Sequence, residues 1–541
     1  MQNYICLEVA NCEARAWLFD DRAGHFELRG FACEKAVPNQ PLSESVQKAL
    51  AQVKPGNLPL TGYALTLSAG KLIRTVLIGA SSDYSLKAAK ALASAFYTQI
   101  VDVLNLQEGL SVVEQLERLL RTDADLFVVA GGIEEGAEKP VLAALDNLRV
   151  MLKAHNRAIP PQIVYLGNSR LKDETDRAFG KDSNFHLGGN ICPSLGTQDL
   201  GAGMTAMLAA FRRIRRAELQ GLSELEAQLN CQFIPVLLAE ARMVRFVRQI
   251  NTVEKDALLI SFEPRISTAF ISQREKAAVI LPEAWAYQAK DKDEPERFNS
   301  MLLEKGANLA YLSNKQMHPG FTPVTVEDQI IEQSWFRIAL RQCRKAWQKA
   351  GYFEENFMPE PVILTGSSLG AFGSHAQLLL AVMDGLELHG ITTYVLDEKG
   401  VMTALGALAP LNPMIAVQVL GCGLLQNLGT VVTVNSPQKA GQPVLELELR
   451  HKFGAQIQKQ QILKSELKYL DLEVNTEQKI LLHPAEDADL GLGAPGIGGT
   501  LNRLSKGSGL IVDARGRPLE MPKDERARAA VVANWLSELG S

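Results

Sequence analysis

Tyr4-Ile5-Cys6-Leu7-Glu8-Val9, Ala10-Asn11-Cys12-Glu13-Ala14, Arg15-Ala16-Trp17-Leu18-Phe19 is the stretch from which the fold can be read. Two apolar runs flank a short polar loop, the pattern of a β-hairpin. A third strand is expected near 25–33, a helix over Ser43–Val53, and further strands at Tyr63–Leu67 and Ile73–Ile78. The pattern turns helical from Leu86. Asp125–Ala130 then reads as a buried strand ending at Gly131-Gly132, followed by a helix over 137–154, a strand at Ile163–Leu166 and another helix from near Ser169. Strands alternating with helices predict a parallel, helix-covered sheet.

From Leu200 to Asn251 the period is almost wholly helical. A second hairpin follows in Ala257–Ser261 and Thr268–Ser272. Long helices over 324–350 lead to a buried strand, Pro361–Thr365, the turn Gly366-Ser367-Ser368-Leu369-Gly370, a helix over 377–385, the strand Thr393–Leu396 and a helix carrying Thr403–Ala409. Short β-rich runs such as Val444–Leu449 and Ile480–His483, separated by Gly and Pro, fill 416–520, and a last helix spans 523–539. Hairpin plus α/β elements therefore occur twice. Two similar lobes facing a cleft are the architecture of the actin, sugar kinase and Hsp70 group. The expected organisation is a first lobe with an α/β insertion (1–205), a helical connector (206–256), a second lobe (257–415), a β-rich C-terminal domain (416–522) and a C-terminal helix (523–541).

Composition narrows the function classes. The chain has 541 residues, 46% hydrophobic and 22% charged, with a net charge of −5. That balance suits an ordinary globular protein of several domains and argues against a dedicated nucleic-acid binder. No long apolar window suggests a membrane span, and Ile5–Leu7 lacks the basic flank of a signal peptide, so a cytoplasmic protein is expected. Seven cysteines without a C-x-x-C pair, and eight dispersed histidines, give neither a disulfide framework nor a zinc pattern.

Several runs, in order along the chain, resemble the glutamate mutase L family, accessory or reactivating-type proteins linked to adenosylcobalamin-dependent glutamate mutase. They are Gly131-Gly132, Val164-Tyr165-Leu166-Gly167-Asn168-Ser169, Asn190-Ile191-Cys192-Pro193-Ser194 with Asp199-Leu200-Gly201, and Val395-Leu396-Asp397 with Ala404-Leu405-Gly406-Ala407-Leu408-Ala409. Leu411-Asn412-Pro413, Val417-Gln418-Val419-Leu420 and the distinctive Ile511-Val512-Asp513-Ala514-Arg515-Gly516-Arg517-Pro518-Leu519 complete them. The resemblance implies a two-lobed actin/Hsp70-like (ribonuclease H-like) α/β fold with an additional C-terminal β-rich domain. It implies ATP and Mg2+ as ligands, and a protein partner, an adenosylcobalamin-dependent mutase.

The nucleotide-gripping loops depart from that pattern. In this fold a D-x-G-[ST]-x-[ST] hairpin grips phosphates: the acid orients metal-bound water, glycine lets the backbone approach, and hydroxyls and amides cradle the anion. Here Glu8 replaces the acid, Ala10 the glycine, and Asn11, Cys12, Glu13 and Ala14 the hydroxyl positions. Glu8 remains the candidate to hold Mg2+ through water and the one catalytic candidate if the site works; Asn11 remains a nucleotide-binding candidate. In the second hairpin Phe262 stands where an acid belongs and Pro264 replaces glycine, leaving Arg265 as a candidate phosphate ligand or a solvated loop arginine. The turn Gly366, Ser367, Ser368, Gly370 is kept, as an adenosine shelf or a plain strand-to-helix turn.

Other signals read as structural. Gly491–Gly496 matches G-x-G-x-x-G, but Pro495 interrupts it and more β-like sequence follows, which indicates a loop of the β domain. Arg212, Arg213, Arg215 and Arg216, and later Arg242, Arg245 and Arg248, form helix faces that are either solvated or a phosphate or partner surface. Asp513 is expected in a local Asx turn. Three functions stand open: a non-catalytic accessory scaffold, an active ATP-dependent reactivating factor, and a self-assembling actin-like protein.

Overall fold

The computed structural model describes the chain apart from residues 1, 37–40, 55, 57, 135, 137, 155–156, 158, 181–183, 252–254, 264–266, 274–275, 281–294, 304–305, 319, 350–356, 452–455, 474–475, 505–508 and 541. The chain forms two compact units, Met1–Ala239 with Thr403–Gln418, and Glu240–Met402 with Val419–Ser541.

In the first unit, β1 (Asn3–Val9), β2 (Glu13–Arg22), β3 (His25–Lys35) and β4 (Gly62–Leu67) are followed by an insertion containing β5 (Ile73–Gly79), β6 (Thr98–Asn105), β7 (Leu126–Ala130), β8 (Gln162–Tyr165) and β9 (Phe185–Leu187); β10 (Phe233–Pro235) returns to the first sheet. The core sheet runs β10-β4-β1-β2-β3, with β1, β2 and β3 antiparallel and β4 and β10 parallel to β1. All seven residues of β1 are buried, so the strand is covered on both faces, and Tyr4–Leu7 read as a continuous apolar run. The insertion is wholly parallel, in the order β6-β5-β7-β8-β9. That is a doubly wound sheet whose strand order reverses between β5 and β7. Its core gathers Ile78, Phe127 and Val129 from the strands with Val141, Leu145 and Leu148 of the helix Lys139–Ala154.

The second unit repeats the first sheet. β11 (Leu258–Phe262), β12 (Ser267–Gln273), β13 (Lys276–Ile280), β14 (Val362–Thr365) and β15 (Ile391–Asp397) lie in the order β13-β12-β11-β14-β15, antiparallel on one side of β11 and parallel on the other. Five strands in this order and polarity, found twice, are the duplicated ribonuclease H-like core of the actin/Hsp70 group. The expected α/β two-lobed fold is therefore present.

The β-rich 416–522 stretch is divided. β16 (Gln426–Thr433), β19 (Leu467–Leu470) and β22 (Leu510–Asp513) extend the second core sheet beyond β15 to eight strands. β17 (Pro443–His451), β18 (Gln456–Leu463), β20 (Glu477–Pro484) and β21 (Gly499–Leu504) form a separate antiparallel sheet. Val444, Leu447, Ile480 and Leu482 of that sheet share one core with Val432 and Val512 of the extension. Gly491–Gly496 lies in the loop between β20 and β21. Four strands escape the periodicity reading, among them β13 at the edge of the second core sheet. β6 is a half-buried edge strand, β9 has three residues, and β10, also three residues, sits inside the helical 206–256 stretch while belonging to the first core sheet.

Two motif residues owe their identity to close packing. Gly406, in the helix Val401–Leu408, lies against Ala239, whose carbonyl oxygen would stand 2.0 Å from a Cβ placed there. Gln418 accepts from Phe26 N at 2.8 Å and donates to Gly24 O at 3.1 Å, which braces the β2–β3 turn.

The Asp513 motif is the centre of a buried charge lattice. Arg515 reaches both Asp513 oxygens at 2.9 Å and Asp384 at 2.9 Å; Arg517 donates to Asp513 at 2.6 Å and Arg337 to Asp384 at 3.0 Å. Arg515 N also donates to Asp513 Oδ1, the expected Asx turn, and its guanidinium stacks 4.4 Å from the Trp535 ring. Three helices, Val326–Lys349, His375–Leu386 and Glu525–Glu538, are thereby tied to the end of β22. Burial alone would push the Asp513 carboxyl up, but the Arg515 and Arg517 guanidiniums hold it well below the usual aspartate range. A depressed carboxyl contributes stability that is complete above the unfolded aspartate pKa of about 3.9 and is lost as the pH falls below it. Trp fluorescence in urea should therefore show the second unit losing stability from about pH 4 downward, with a shallower acid slope in Asp513→Asn.

Candidate functional site

The candidate residues fall into two groups, one in each unit. In the first, the β1–β2 turn is closed by Ala10 N donating to Glu13 O at 2.9 Å, and the register sets Glu8 directly across from Arg15. Glu8 is 1% exposed. Ser68 Oγ donates to its Oε1 at 3.2 Å, and Arg15 Nη1 lies 3.4 Å from its Oε2. Arg15 also donates from Nε to Glu13 Oε1 at 2.6 Å. The carboxylate of Glu13, at one of the positions where the fold's pattern has a hydroxyl, is turned onto its own strand by this arginine.

Asn11 is equally occupied. Its Oδ1 accepts from Gly70 N at 2.9 Å and its Nδ2 donates to Gly70 O at 3.4 Å, a reciprocal pair between two loops. Gly70 has φ +105°, and a Cβ there would stand 2.3 Å from the Arg215 guanidinium, so glycine is required. Ser68 N and Ala69 N donate to Val9 O at 3.0 and 3.1 Å. The amides of Ala10, Ser68, Ala69 and Gly70 are thus spent inside the protein, where the fold's phosphate loops aim such groups at an anion. Beside them, burial and then Glu13 push the Cys33 thiol up to about 11, so it stays protonated at neutral pH.

A Mg2+ held here would need carboxylate oxygen and several waters in octahedral geometry. Glu8 offers a carboxylate already engaged by a hydroxyl and a guanidinium, and the cation of Arg15 stands beside it. The arrangement does not fit the metal. Among the described residues no group of three or more His, Cys, Asp or Glu gathers to hold one.

The second group is more open. Phe262, where an acid was expected, is buried and meets the Phe336 ring edge-on at 4.4 Å between centroids. Pro264 and Arg265 lie outside the described residues. Gly366 has φ +114°, and a Cβ there would stand 2.4 Å from Phe262 O, so the close approach of this turn to β11 demands glycine. Ser367 Oγ donates to Glu263 Oε2 at 2.7 Å, which ties the turn to the end of β11. The Ser368 hydroxyl is buried without a hydrogen-bond partner among the described residues, and a Cβ on Gly370 would meet nothing within 4 Å. The turn is a 3-10 segment, Ser367–Ala371; the following helix, His375–Leu386, is capped instead by Ser374. Asp397 caps a helix, accepting from Val401 N and Met402 N at 2.8 Å each.

The runs in the insertion meet where β7 and β8 end. Gly131 and Gly167 approach so closely that a Cβ on Gly167 would lie 2.3 Å from Gly131 Cα. Glu134 accepts from Ser169 Oγ at 2.7 Å, Ser169 N at 3.0 Å and Asn190 Nδ2 at 2.8 Å, joining three loops. Burial would raise its carboxyl, but these donors hold it below the usual range. Glu134, Arg15, Ser68, Gly70 and Glu263 were not singled out in the sequence. Arg15 had a signal: two residues equidistant from a hairpin turn face one another.

The family model described as MutL protein matches residues 5–261, a span that takes in the first core sheet and the insertion. A comparison with curated proteins finds no match. Among solved structures, this chain is similar to a diol dehydratase-reactivating factor in nucleotide-free form, at 10% identity over 78% of this chain and 99% of that one, with a TM-score of 0.29. It is similar to a glycerol dehydratase reactivase at 9% identity, over 76% and 100%, with a TM-score of 0.30. Xylulose kinase from Bifidobacterium adolescentis gives 10% identity, 79% and 96%, and 0.30. At these TM-scores the fold rests on the strand orders and not on the likeness.

The Glu8–Arg15 pair gives a direct test. Arg15→Met leaves a buried carboxylate without its cation and should destabilise the first unit by about 3–5 kcal/mol in urea unfolding. Adding Glu8→Gln should recover most of that loss. A single-variant cost below about 1 kcal/mol would show that the pair is solvated.

Proposed function

We propose that this chain is a member of the MutL family, a glutamate mutase L-like accessory scaffold and pseudo-ATPase that binds a protein partner. The observation that carries the reading is the self-satisfied hairpin of the first unit. Arg15 and Ser68 occupy Glu8, Asn11 is paired with Gly70, and the neighbouring amides bond to Val9, Glu13 and Asn11. For a triphosphate to bind there, these contacts must break, and a buried carboxylate must come to face the phosphates. Like charges about 4 Å apart repel by several kcal/mol at intermediate dielectric. The partner suggested by the family resemblance is an adenosylcobalamin-dependent mutase, with the protein working in the cytoplasm. No helix among the described residues is long and apolar enough to cross a membrane.

One observation favours a second reading, an active ATP-dependent reactivating factor. The Gly366–Gly370 turn keeps an unpartnered buried hydroxyl at Ser368 and open space over Gly370, which suits an adenosine laid against the backbone. Titrating a fluorescent ATP analogue with Mg2+, alongside phosphate release, separates the two. The scaffold reading expects no turnover, and capture of the purified mutase by the immobilised chain at equal strength with and without ATP. Micromolar binding accompanied by hydrolysis that Glu8→Gln abolishes would establish the reactivating factor instead.

A further inference from the structure

At the end of the insertion sheet where β8 and β9 begin, opposite the Gly131 and Gly167 loops, the first unit holds a cavity of about 590 Å³. One wall is a single face of the helix Leu200–Glu218, formed by Ala209, Arg212, Arg213 and Arg216. The floor is polar: Gln162, 1% exposed, donates to Pro160 O at 3.1 Å and to Asn184 Oδ1 at 3.3 Å. Those two acceptors orient the Gln162 amide, so its Oε1 faces His186 Nε2 at 3.0 Å and that ring nitrogen carries the proton. Burial and then Arg213 bring the His186 ring down to about 4, so it is neutral at pH 7. Gln232 and Ala217 complete the lining, and Ile159 and Pro160 give it an apolar side.

The charges are unevenly matched. Arg216 is paired with Glu226 through two bonds, at 2.7 and 3.1 Å. Arg212 is half-buried, and it donates to neutral acceptors, Phe233 O at 2.9 Å and Gln232 Oε1 at 2.6 Å. Burial pulls its guanidinium down, and Glu226, already engaged by Arg216, is the acid that opposes this. Among the described residues no carboxylate lines the cavity. A half-buried cation held by carbonyl oxygens beside two further arginines is an environment that an incoming anion stabilises, because planar guanidiniums bind phosphate with two parallel hydrogen bonds. The volume falls in the range of small-molecule pockets and not of a surface for a polymer.

We infer that this cavity is a binding site for a small phosphate-bearing molecule, with Arg212, Arg213 and Arg216 holding the phosphate and the Ile159–Pro160 wall taking an apolar portion. The site is separate from the hairpin of the proposed function and does not rest on it. Calorimetry on the full chain with pyrophosphate, ribose 5-phosphate and unphosphorylated ribose tests it. Saturable binding is expected for a phosphate-bearing probe and none for ribose. Arg213→Gln should weaken it by roughly tenfold or more. Ala209→Glu, on an exposed position of the wall, should abolish it, and Arg121→Gln on a distant helix should leave it unchanged. Tighter binding of ribose 5-phosphate assigns the site to a phosphate ester, and binding of pyrophosphate alone to a free inorganic anion. The inference is overturned if neither phosphate probe saturates at millimolar concentration, or if Arg213→Gln and Ala209→Glu, melting like the wild type, bind as it does.

Discussion

Each core sheet depends on one strand that has an antiparallel hairpin partner on one side and a parallel partner on the other. β1 and β11 hold that position, and both are buried along their length. A strand covered on both faces leaves no face for polar residues, so any carboxylate in it must be matched inside the protein. Glu8 is such a residue, and Arg15 across the hairpin is its match. The same crowding sets the glycine at 366, where the turn after β14 comes against the end of β11. The chemistry of the loops is therefore constrained first by the strands that carry them.

The two units resolve this constraint differently. In the first, polar atoms of the loop are satisfied by other atoms of the loop and by the segment around Gly70. In the second, an aromatic side chain has replaced the acid and packs into the core against Phe336, while the neighbouring turn keeps an open surface. A hairpin that bonds to itself has its polar groups engaged; a turn with an unpartnered hydroxyl does not. The closed and the open loop sit on the same strand order, which separates what the fold requires from what a ligand would require.

Much of the fold was legible because its strands are buried and long enough to show a period. The hairpin at 4–19, the strand before Gly131-Gly132 and the turn at Gly366 all read correctly. β10 was hidden because three residues between helices carry no period, yet its place beside β4 completes the first sheet. The β-rich stretch was legible as β and not as to which sheet each strand joins, since pairing between distant segments leaves no local mark. At the loops, the loss of the usual glycine and hydroxyls could be read directly. What replaced them could not, because the Asn11–Gly70 pair and the Ser68–Glu8 bond join segments far apart in sequence. The lattice around Asp513 was missed for the same reason: Arg337 and Asp384 belong to helices that meet only on folding.

The placement of the doubly wound insertion between β4 and β10 bears on how the first unit assembles. Leu65 pairs with Phe233, so forming that edge of the sheet closes the whole insertion as a loop. Loop-closure entropy makes such a contact costly while the intervening chain is unfolded. A compact insertion, with its own core and its ends already set, shortens the effective loop. The insertion is thereby a folding intermediary for the sheet that encloses it, and a lesion in its core would slow the joining of β10 without touching a residue of the core sheet.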